Sequence, residues 1–328
     1  MRNNIAIRSA LKSRKIRVRE PIDERCWAFM KLVREHHPTK RMYDVNPYAE
    51  VYRLRANLIG ILTEHLSGGG DMWSYLIVGA ERAMLIDTGF GVGDLKGLVA
   101  ELTGGMPLVV VNTHAHPDHS SGNCQFDRVY CHEYTVPQLE RTRNPHIWDQ
   151  LFDEHGRPIW TEFDRNDIVP FQEYEIVGRP DGHIFDLGGG HEVELIHTAG
   201  HTAGHCMLLD KTSRLLFAGD DVISMRISIG GARRDDPFRE WATVRRYRDQ
   251  MARLAARLEE FDHVFPGHFV YDLENYVILD LLEAANAIVA DPQDYDYCET
   301  LATPAGAVER YQKFVKGLGT LAYTADAI

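Results

Sequence analysis

The chain has 328 residues, of which 44% are hydrophobic, a size that allows one large domain or two modest ones. Its formal net charge of −12 makes nucleic acid an unfavourable partner, because an acidic surface repels the phosphate backbone. No apolar run approaches the about 18 residues of a membrane span, and residues 1–25 lack the apolar stretch of a secretory signal. These features predict a cytoplasmic protein that binds neither nucleic acid nor a membrane.

The charge is distributed unevenly along the chain. Residues 1–41 contain twelve lysines and arginines against four acidic residues, which leaves 24 basic and 44 acidic residues in the remainder. Such a basic arm is typical of a solvated, partly frayed extension, and the alternative is a segment that docks onto an acidic surface such as another subunit. We therefore expect a basic N-terminal extension over residues 1–45. If it docks onto another subunit, the protein is a homo-oligomer.

The five cysteines are odd in number and lack the CxxC spacing of metal or redox motifs. They are Cys26, Cys124, Cys131, Cys206 and Cys298. This usage predicts reduced thiols in a cytoplasmic protein. Cys124 and Cys206 lie near histidines in the sequence, but we expect them to be small buried residues rather than metal ligands.

Predicted strands and helices alternate along the chain, with turn residues between them. In chain order they are a helix over 27–35, strands over 51–61, 73–78 and 83–86, a helix over 93–102, a strand over 108–111, a hairpin over 181–196, a strand over 215–218, a helix over 241–260, a strand over 263–265 and a helix over 274–290. Residues 134–172 are predicted to be a helix followed by irregular loop, and residues 292–328 a loosely defined tail. The alternation is typical of a layered α/β fold.

Four candidate metal ligands follow directly after the apolar strand over 108–111. His114, His116, Asp118 and His119 place three imidazoles and one carboxylate within six positions. In an extended chain His114 and His116 point to the same side, and the other two follow on the turn. Imidazole and carboxylate suit a divalent metal of zinc type, and also iron or manganese. The segment therefore predicts a metal site at a strand end.

Three further strand ends carry residues of the same kind. The second segment contains His197, His201 and His205, the third contains Asp220, and the fourth contains His268. A glycine precedes His201, Asp220 and His268, and glycine lets the backbone turn tightly enough for each side chain to face a shared centre. We therefore expect these segments to contribute to one site together with the first.

The four segments resemble the motifs of the metallo-β-lactamase fold superfamily of binuclear metallohydrolases. The matching motifs, in the order found in that family, are His114-x-His116-x-Asp118-His119, Gly200-His201-Thr202, Gly219-Asp220 and Gly267-His268, with Asp87-Thr88-Gly89 as a further strand-end element. The resemblance covers roughly residues 50–270. It implies an α/β fold of four layers (αββα), in which two mixed β-sheets are flanked by helices. We expect the catalytic domain over residues 46–290 and a C-terminal tail over 291–328.

The same resemblance implies a ligand set for two divalent ions, with zinc expected first and iron or manganese as alternatives. The first ion would be held by His114, His116 and His201, the second by Asp118, His119 and His268, with Asp220 bridging both. His197 and His205 flank His201, and we expect them to be hydrogen-bonding partners or loop residues rather than ligands.

Two divalent ions about 3.5–4 Å apart can share a water and lower its pKa from far above neutrality toward about 7. The bridging hydroxide is then a nucleophile at neutral pH, and Asp118 is placed to act as the catalytic residue that holds or shuttles its proton. The Gly-x-Ser-x-Gly motif of serine hydrolases does not occur in the sequence. We therefore expect a binuclear metal-dependent hydrolase.

Asp220 narrows the class of substrate. Members of the superfamily that open β-lactams usually carry Cys or Ser at this position, whereas Asp resembles the glyoxalase II-like thioesterases, the lactonases and the phosphodiesterases of the superfamily. We therefore expect cleavage of a carboxylic ester, thioester or lactone of a small organic substrate. Phosphodiesterase or β-lactamase-type activity on the same pair of ions is the alternative. A di-iron redox enzyme is less favoured because His116 stands where such members have Glu, and a binding module without turnover would not need the full ligand set.

Substrate contacts are expected from loops around the edge that carries the ligands. The candidates are Trp73, Phe90, Met225, Arg226 and Tyr271. Trp73 and Phe90 fit equally well as core aromatic residues. Arg226 fits a substrate carboxylate, although surface arginines are common without such a role.

Overall fold

The computed structural model describes residues 9–17, 20–21, 28–230, 235–303 and 306–328. Cys26 and residues 1–8, 18–19 and 22–27 of the predicted extension lie outside the described residues. The chain divides into two compact units. The first comprises the chain up to Tyr130 with Leu139–Val177 and Leu187–Gly190, and the second comprises Cys131–Gln138, Gly178–Asp186 and His191–Ile328. Each unit has its own hydrophobic core.

Helices and strands alternate through the described part of the chain. The helices are α1 (Ala28–His36), α2 (Leu95–Thr103), α3 (Pro117–Ser120), α4 (Val136–Thr142), α5 (Val244–Ala255) and α6 (Val277–Ala290). The strands are β1 (Arg14–Arg17), β2 (Glu20–Pro21), β3 (Arg41–Tyr43), β4 (Asn46–Arg53), β5 (Leu58–Thr63), β6 (Met72–Val78), β7 (Ala83–Ile86), β8 (Leu108–Val111), β9 (Arg128–His132), β10 (Thr161–Glu162), β11 (Glu175–Arg179), β12 (Ile184–Asp186), β13 (Glu192–His197), β14 (Cys206–Asp210), β15 (Leu215–Gly219), β16 (Arg226–Ser228), β17 (His263–Pro266), β18 (Leu273–Glu274), β19 (Tyr297–Thr303), β20 (Gly306–Val315) and β21 (Gly319–Tyr323). None of the helices described is both long and apolar enough to cross a membrane.

The first unit is built around an eight-stranded sheet in the order β11-β9-β8-β7-β6-β5-β4-β3. Strands β3 to β7 pair antiparallel, whereas β7, β8 and β9 pair parallel, so the sheet is mixed. Strand β7 is buried along its whole length, and β8 is buried at Val110 and Val111, as is usual for apolar parallel strands. The helix α2 begins after Asp94, whose carboxylate accepts a hydrogen bond from the Gly97 N–H, and ends at Gly104 in the left-handed conformation.

The second unit contains a six-stranded mixed sheet in the order β12-β13-β14-β15-β17-β18. Strands β15 and β17 pair parallel, so their carboxyl ends lie side by side. The amphipathic helix α5 covers apolar core with Val244, Tyr247, Met251 and Leu254. Because β15 and β17 are parallel, the residues that follow them emerge at the same edge of the sheet and can contribute to one site.

The C-terminal segment differs from its prediction as a loosely defined tail. Strands β19, β20 and β21 form a meander, and β21 also pairs parallel with β16 to complete a four-stranded sheet. Tyr311, Val315, Leu321 and Tyr323 are buried in the core of the second unit. The prediction was wrong because the ladder with β16 joins residues about ninety positions apart, and local sequence periodicity does not report such pairing.

The described part of the N-terminal segment is also more ordered than predicted. Helix α1 carries Arg34, whose side chain is 0% exposed and lies 3.0 Å from Glu50 and 3.1 Å from Asp71. Lys40 lies 2.7 Å from the same Glu50. A guanidinium buried among carboxylates fixes the helix in place, so α1 is an integral part of the first unit and not a frayed arm.

Candidate metal centre

The first ligand cluster comprises the four candidates of the first unit, His114, His116, Asp118 and His119. Strand β8 ends at Val111, and the single helical turn α3 carries the last two of these residues. His114 and His119 are fully buried, and Asp118 is 8% exposed. The end of a buried strand and the turn after it therefore present all four side chains from one short stretch of backbone.

The hydrogen bonds around His114 set its tautomer. The Thr113 hydroxyl donates to Asp87 Oδ2 at 2.8 Å, so the same hydroxyl oxygen accepts from His114 Nδ1 at 3.0 Å. His114 Nε2 then carries the lone pair that a metal ligand needs, and it lies 2.9 Å from His116 Nδ1. The two ring nitrogens that can bind a metal therefore face each other.

Asp87 fixes His119 in the same way. His119 Nδ1 donates to Asp87 Oδ2 at 2.8 Å, which leaves the Nε2 lone pair for a ligand role, 3.5 Å from Asp118 Oδ2. Asp87 also accepts from the Thr113 N–H at 2.8 Å and holds a left-handed backbone conformation with φ 61°. One carboxylate thus sets the tautomers of two histidines, which gives a physical role to the Asp87-Thr88-Gly89 motif.

We expect Asp87→Asn to weaken zinc binding by about 10–100-fold, the range typical of lost partners behind metal ligands. Asparagine tolerates the left-handed backbone, so the turn is kept. An amide has only one accepting oxygen, so it cannot accept from the Thr113 N–H at one position and from the Thr113 hydroxyl and His119 at the other, as the two carboxylate oxygens do. Competition with a chelator of known affinity measures the effect. Zinc affinity equal to that of the wild type would contradict the role of Asp87.

The second ligand cluster comprises the three candidates of the second unit, His201, Asp220 and His268. His201 lies in the turn between β13 and β14, and its Nδ1 donates to the Ser228 carbonyl at 2.7 Å. Burial lowers the pKa of His201, although Asp220 opposes the shift. The ring is therefore a neutral imidazole with its Nε2 lone pair directed toward the carboxylate, the form that binds a metal.

Asp220 and His268 are brought together by the parallel strands β15 and β17. The Gly267 N–H donates to the Gly219 carbonyl at 2.8 Å, which aligns the residues that follow. Asp220 Oδ2 lies 3.6 Å from His201 Nε2, and Asp220 Oδ1 lies 3.3 Å from His268 Nε2. Each carboxylate oxygen faces a different imidazole, as a carboxylate shared by two ions would require.

The separations within each cluster fit the ligand shell of a metal ion. Two nitrogen or oxygen ligands at about 2.0–2.1 Å from one tetrahedral zinc ion lie about 3.3 Å apart. The four pairs of candidate ligand atoms lie 2.9, 3.5, 3.6 and 3.3 Å apart. Imidazole nitrogens and carboxylate oxygens at this spacing are a donor set suited to a divalent ion of zinc type.

The two histidines that flank His201 have hydrogen-bonding roles, as the sequence predicted. His205 Nε2 accepts from the Asp220 N–H at 3.1 Å, and its Nδ1 lies 2.8 Å from the Asp221 carboxylate. His197 Nε2 donates to the Ala203 carbonyl at 2.9 Å, and its ring stacks on His132 at 3.8 Å. His205 therefore supports the backbone of a candidate ligand, and His197 closes the turn that carries His201.

Cys124 and Cys206, the cysteines nearest to the histidines in the sequence, are buried as expected. Burial raises the pKa of the Cys124 thiol to about 11. A metal binds the thiolate form, so this shift disfavours Cys124 as a ligand.

Two of the predicted substrate contacts pack in the core of the first unit. Trp73 is 1% exposed and lies between Tyr52 and Tyr75, with ring centroids 5.4 and 6.3 Å away. Phe90 is 5% exposed and belongs to the same unit's core. Of the two interpretations left open by the sequence, burial favours the core role for both residues.

The other three predicted contacts lie at or near the surface of the second unit. Met225 is 44% exposed, and Arg226 lies 3.8 Å from Glu299. Tyr271 stacks on Phe265 at 6.3 Å. Their contact with a substrate stays a prediction.

His65 contacts the first ligand cluster and was not among the predicted site residues. It lies in the turn between β5 and β6, and its Nε2 is 3.0 Å from Asp118 Oδ2. No motif marks this position, because a single histidine in a turn has no characteristic spacing. The nearest signal in the sequence is the triglycine over residues 68–70, of which Gly69 lies against the ring.

The chain is similar to several known proteins. The family model of the metallo-beta-lactamase superfamily matches residues 67–268. Human acyl-coenzyme A thioesterase MBLAC2 (Homo sapiens) is 30% identical over 217 residues, covering 60% of this chain and 72% of that protein. Atrochrysone carboxyl ACP thioesterase nsrC of Aspergillus novofumigatus is 28% identical over 153 residues, covering 46% of this chain and 38% of that protein. A solved metallo-beta-lactamase from Pontibacter korlensis is 18% identical with a TM-score of 0.49, covering 73% of this chain and 99% of that chain.

The match to the family model spans more than half of the chain and contains the motifs that carried the resemblance. The mixed sheets and flanking helices confirm the predicted α/β class. This protein therefore belongs to the metallo-beta-lactamase superfamily and is an enzyme of the hydrolase class.

Proposed function

We propose that the enzyme hydrolyses acyl thioesters, with acyl-coenzyme A compounds as the first substrates to test. The observation that carries the proposal is Asp220, whose two oxygens each face an imidazole at the end of a parallel strand pair. Aspartate at this position resembles the thioesterase-like members of the superfamily rather than those that open β-lactams. Two relatives that bear thioesterase names support the same class of substrate.

We further propose that the two ligand clusters together hold two divalent ions, most simply zinc. The first ion would bind His114, His116 and His201, the second Asp118, His119 and His268, with Asp220 shared between them. The ligand separations and the tautomers set by Asp87 and the Ser228 carbonyl support this assignment. Two ions bound there would supply a nucleophile at neutral pH by lowering the pKa of a water from far above neutrality toward about 7.

The residues of the chain then have distinct tasks in the reaction. Asp118 accepts a proton from the attacking water and can pass it to the departing sulfur. Water adds to the thioester carbonyl carbon, the carbon–sulfur bond breaks, and the products are a carboxylic acid and a thiol. Asp87 keeps His114 and His119 in the tautomer that binds a metal, and the Ser228 carbonyl does the same for His201. We expect this chemistry to take place in the cytoplasm, on a small-molecule substrate.

A panel of substrates tests the proposal. The zinc-reconstituted protein is assayed on acyl-coenzyme A compounds, a p-nitrophenyl ester, a lactone, a β-lactam and bis-p-nitrophenyl phosphate, with thiol release followed by a colorimetric thiol reagent. We expect the acyl-coenzyme A compounds to give the highest kcat/KM. A phosphodiester or β-lactam cleaved more efficiently than every thioester would contradict the proposed substrate class.

A further inference from the structure

His65 contacts the first ligand cluster, although no sequence motif singled it out. Its Nε2 lies 3.0 Å from Asp118 Oδ2, and its side chain is 13% exposed. The residue follows β5 and opens the glycine-rich turn that leads into β6. It is therefore nearly enclosed and in hydrogen-bonding contact with the proposed catalytic carboxylate.

The direction of this hydrogen bond follows from the other ring nitrogen. The Gly69 backbone N–H donates to His65 Nδ1 at 3.0 Å, so Nδ1 carries the lone pair. In the neutral ring the proton then sits on Nε2, and Nε2 donates to the Asp118 carboxylate. The same oxygen, Asp118 Oδ2, lies 3.5 Å from His119 Nε2. His65 thus holds that oxygen beside the nitrogen with which it would share an ion.

The ring of His65 is held on several sides. Phe90 meets it edge-on with ring centroids 5.0 Å apart, and the His65 carbonyl accepts from the Thr161 hydroxyl at 3.2 Å. A Cβ added at Gly69 would lie 2.7 Å from His65 Nε2, so a larger residue at this position would require the ring to shift. These contacts restrict the movement of the imidazole away from Asp118.

The turn is also anchored at its far end by the N-terminal segment. Asp71, which directly precedes β6, accepts from Lys15 Nζ at 2.8 Å and from Arg34 Nη1 at 3.1 Å. Arg34 is fully buried, and hydrogen bonds between charged groups are stronger than those between neutral ones. The basic segment before β3 therefore fixes the turn that presents His65.

We propose that His65 is a positioning residue for the ion at Asp118 and His119. It donates to Asp118 and so orients that carboxylate. Lys15 and Arg34 bind Asp71 and thereby hold the turn that carries His65. This inference rests on the proposed function, because it assumes that Asp118 holds an ion. If His65 only stabilised the glycine-rich turn, replacing it would lower the folding stability and leave the affinity for metal unchanged.

The test compares His65→Leu, which removes the donor, with His65→Gln, whose amide N–H can replace it, and with Gly69→Ala, which displaces the ring. His191→Gln is the matched control, because His191 also pairs with a buried aspartate, Asp210, at 2.9 Å but is not a proposed ligand. Zinc stoichiometry and the affinity of each ion are measured by chelator competition, together with kcat, KM and the thermal unfolding midpoint.

We expect His65→Leu and Gly69→Ala to bind the weaker of the two ions about 10–100-fold less tightly and to lose kcat with little change in KM. His65→Gln should recover most of both losses, and His191→Gln should leave metal affinity unchanged. Two ions bound by His65→Leu as tightly as by the wild type, with unchanged kcat, would overturn the role of His65 alone. A wild type that binds fewer than two ions would overturn the inference together with the proposed pair of ions.

Discussion

Replacing Asp220 by asparagine is expected to abolish thioester hydrolysis and to reduce the bound metal below two ions per chain. The substitution keeps the shape of the side chain but removes the negative charge that His201 and His268 share through its two oxygens. Without the pair of ions the pKa of the attacking water stays far above neutrality, so we expect kcat to fall by on the order of 10³-fold or more. Steady-state kinetics and elemental analysis of the same preparation measure both effects.

Asp210→Asn is the matched control for this substitution. Asp210 is buried in the same unit and pairs with His191 at 2.9 Å, but it is not a proposed ligand. The control should lose some stability and keep two ions per active chain. Asp220→Asn that retains two ions and more than a tenth of the wild-type kcat would show that Asp220 is not the shared ligand.

Replacing Arg34 by alanine should lower the free energy of unfolding by about 3–5 kcal/mol, the usual cost of removing one partner from a buried ion pair. The substitution leaves Glu50 and Asp71 buried, and Glu50 is fully enclosed. Chemical denaturation of the wild type and the variant gives the difference. The size of this effect decides whether the N-terminal segment is part of the folded unit or an appendage to it.

Arg128→Ala provides the comparison within the same unit. Arg128 pairs with Glu175 at 2.5 Å, but both side chains are more than half exposed. An exposed pair contributes about 0–1 kcal/mol, so this variant should differ little from the wild type. Equal losses in the two variants would contradict the structural role given to Arg34.

The candidate ligands could be identified from sequence because they share one simple pattern. Each follows a short apolar strand, and strands such as β7, β8 and β15 are runs of aliphatic residues whose ends are easy to place. The helices α2 and α5 have the periodicity and capping residues that mark helices in sequence. The α/β class followed from this alternation and is confirmed. The pairing of the ligands around two ions stays a prediction.

Long-range contacts explain what the sequence did not reveal. The pairing of β16 with β21 and the burial of Arg34 against Glu50 and Asp71 join segments that share no local pattern. His65 is the clearest case for the site, because its role depends on a turn that brings it to Asp118, 53 positions away. Side chains that act on a ligand from a neighbouring loop have no required spacing, so a single sequence does not mark them.

We propose above all that this chain uses two bound divalent ions for hydrolysis. Stepwise loading of the protein with metal tests this proposal most directly. Metal-free protein, prepared with a chelator, is titrated with zinc while bound metal and acyl-coenzyme A hydrolysis are measured on the same samples. We expect two ions to bind per chain, and the rate to be negligible without metal and maximal when the second ion has bound. Full thioesterase activity in the metal-free protein, or no stoichiometric binding of zinc, iron or manganese, would contradict the claim.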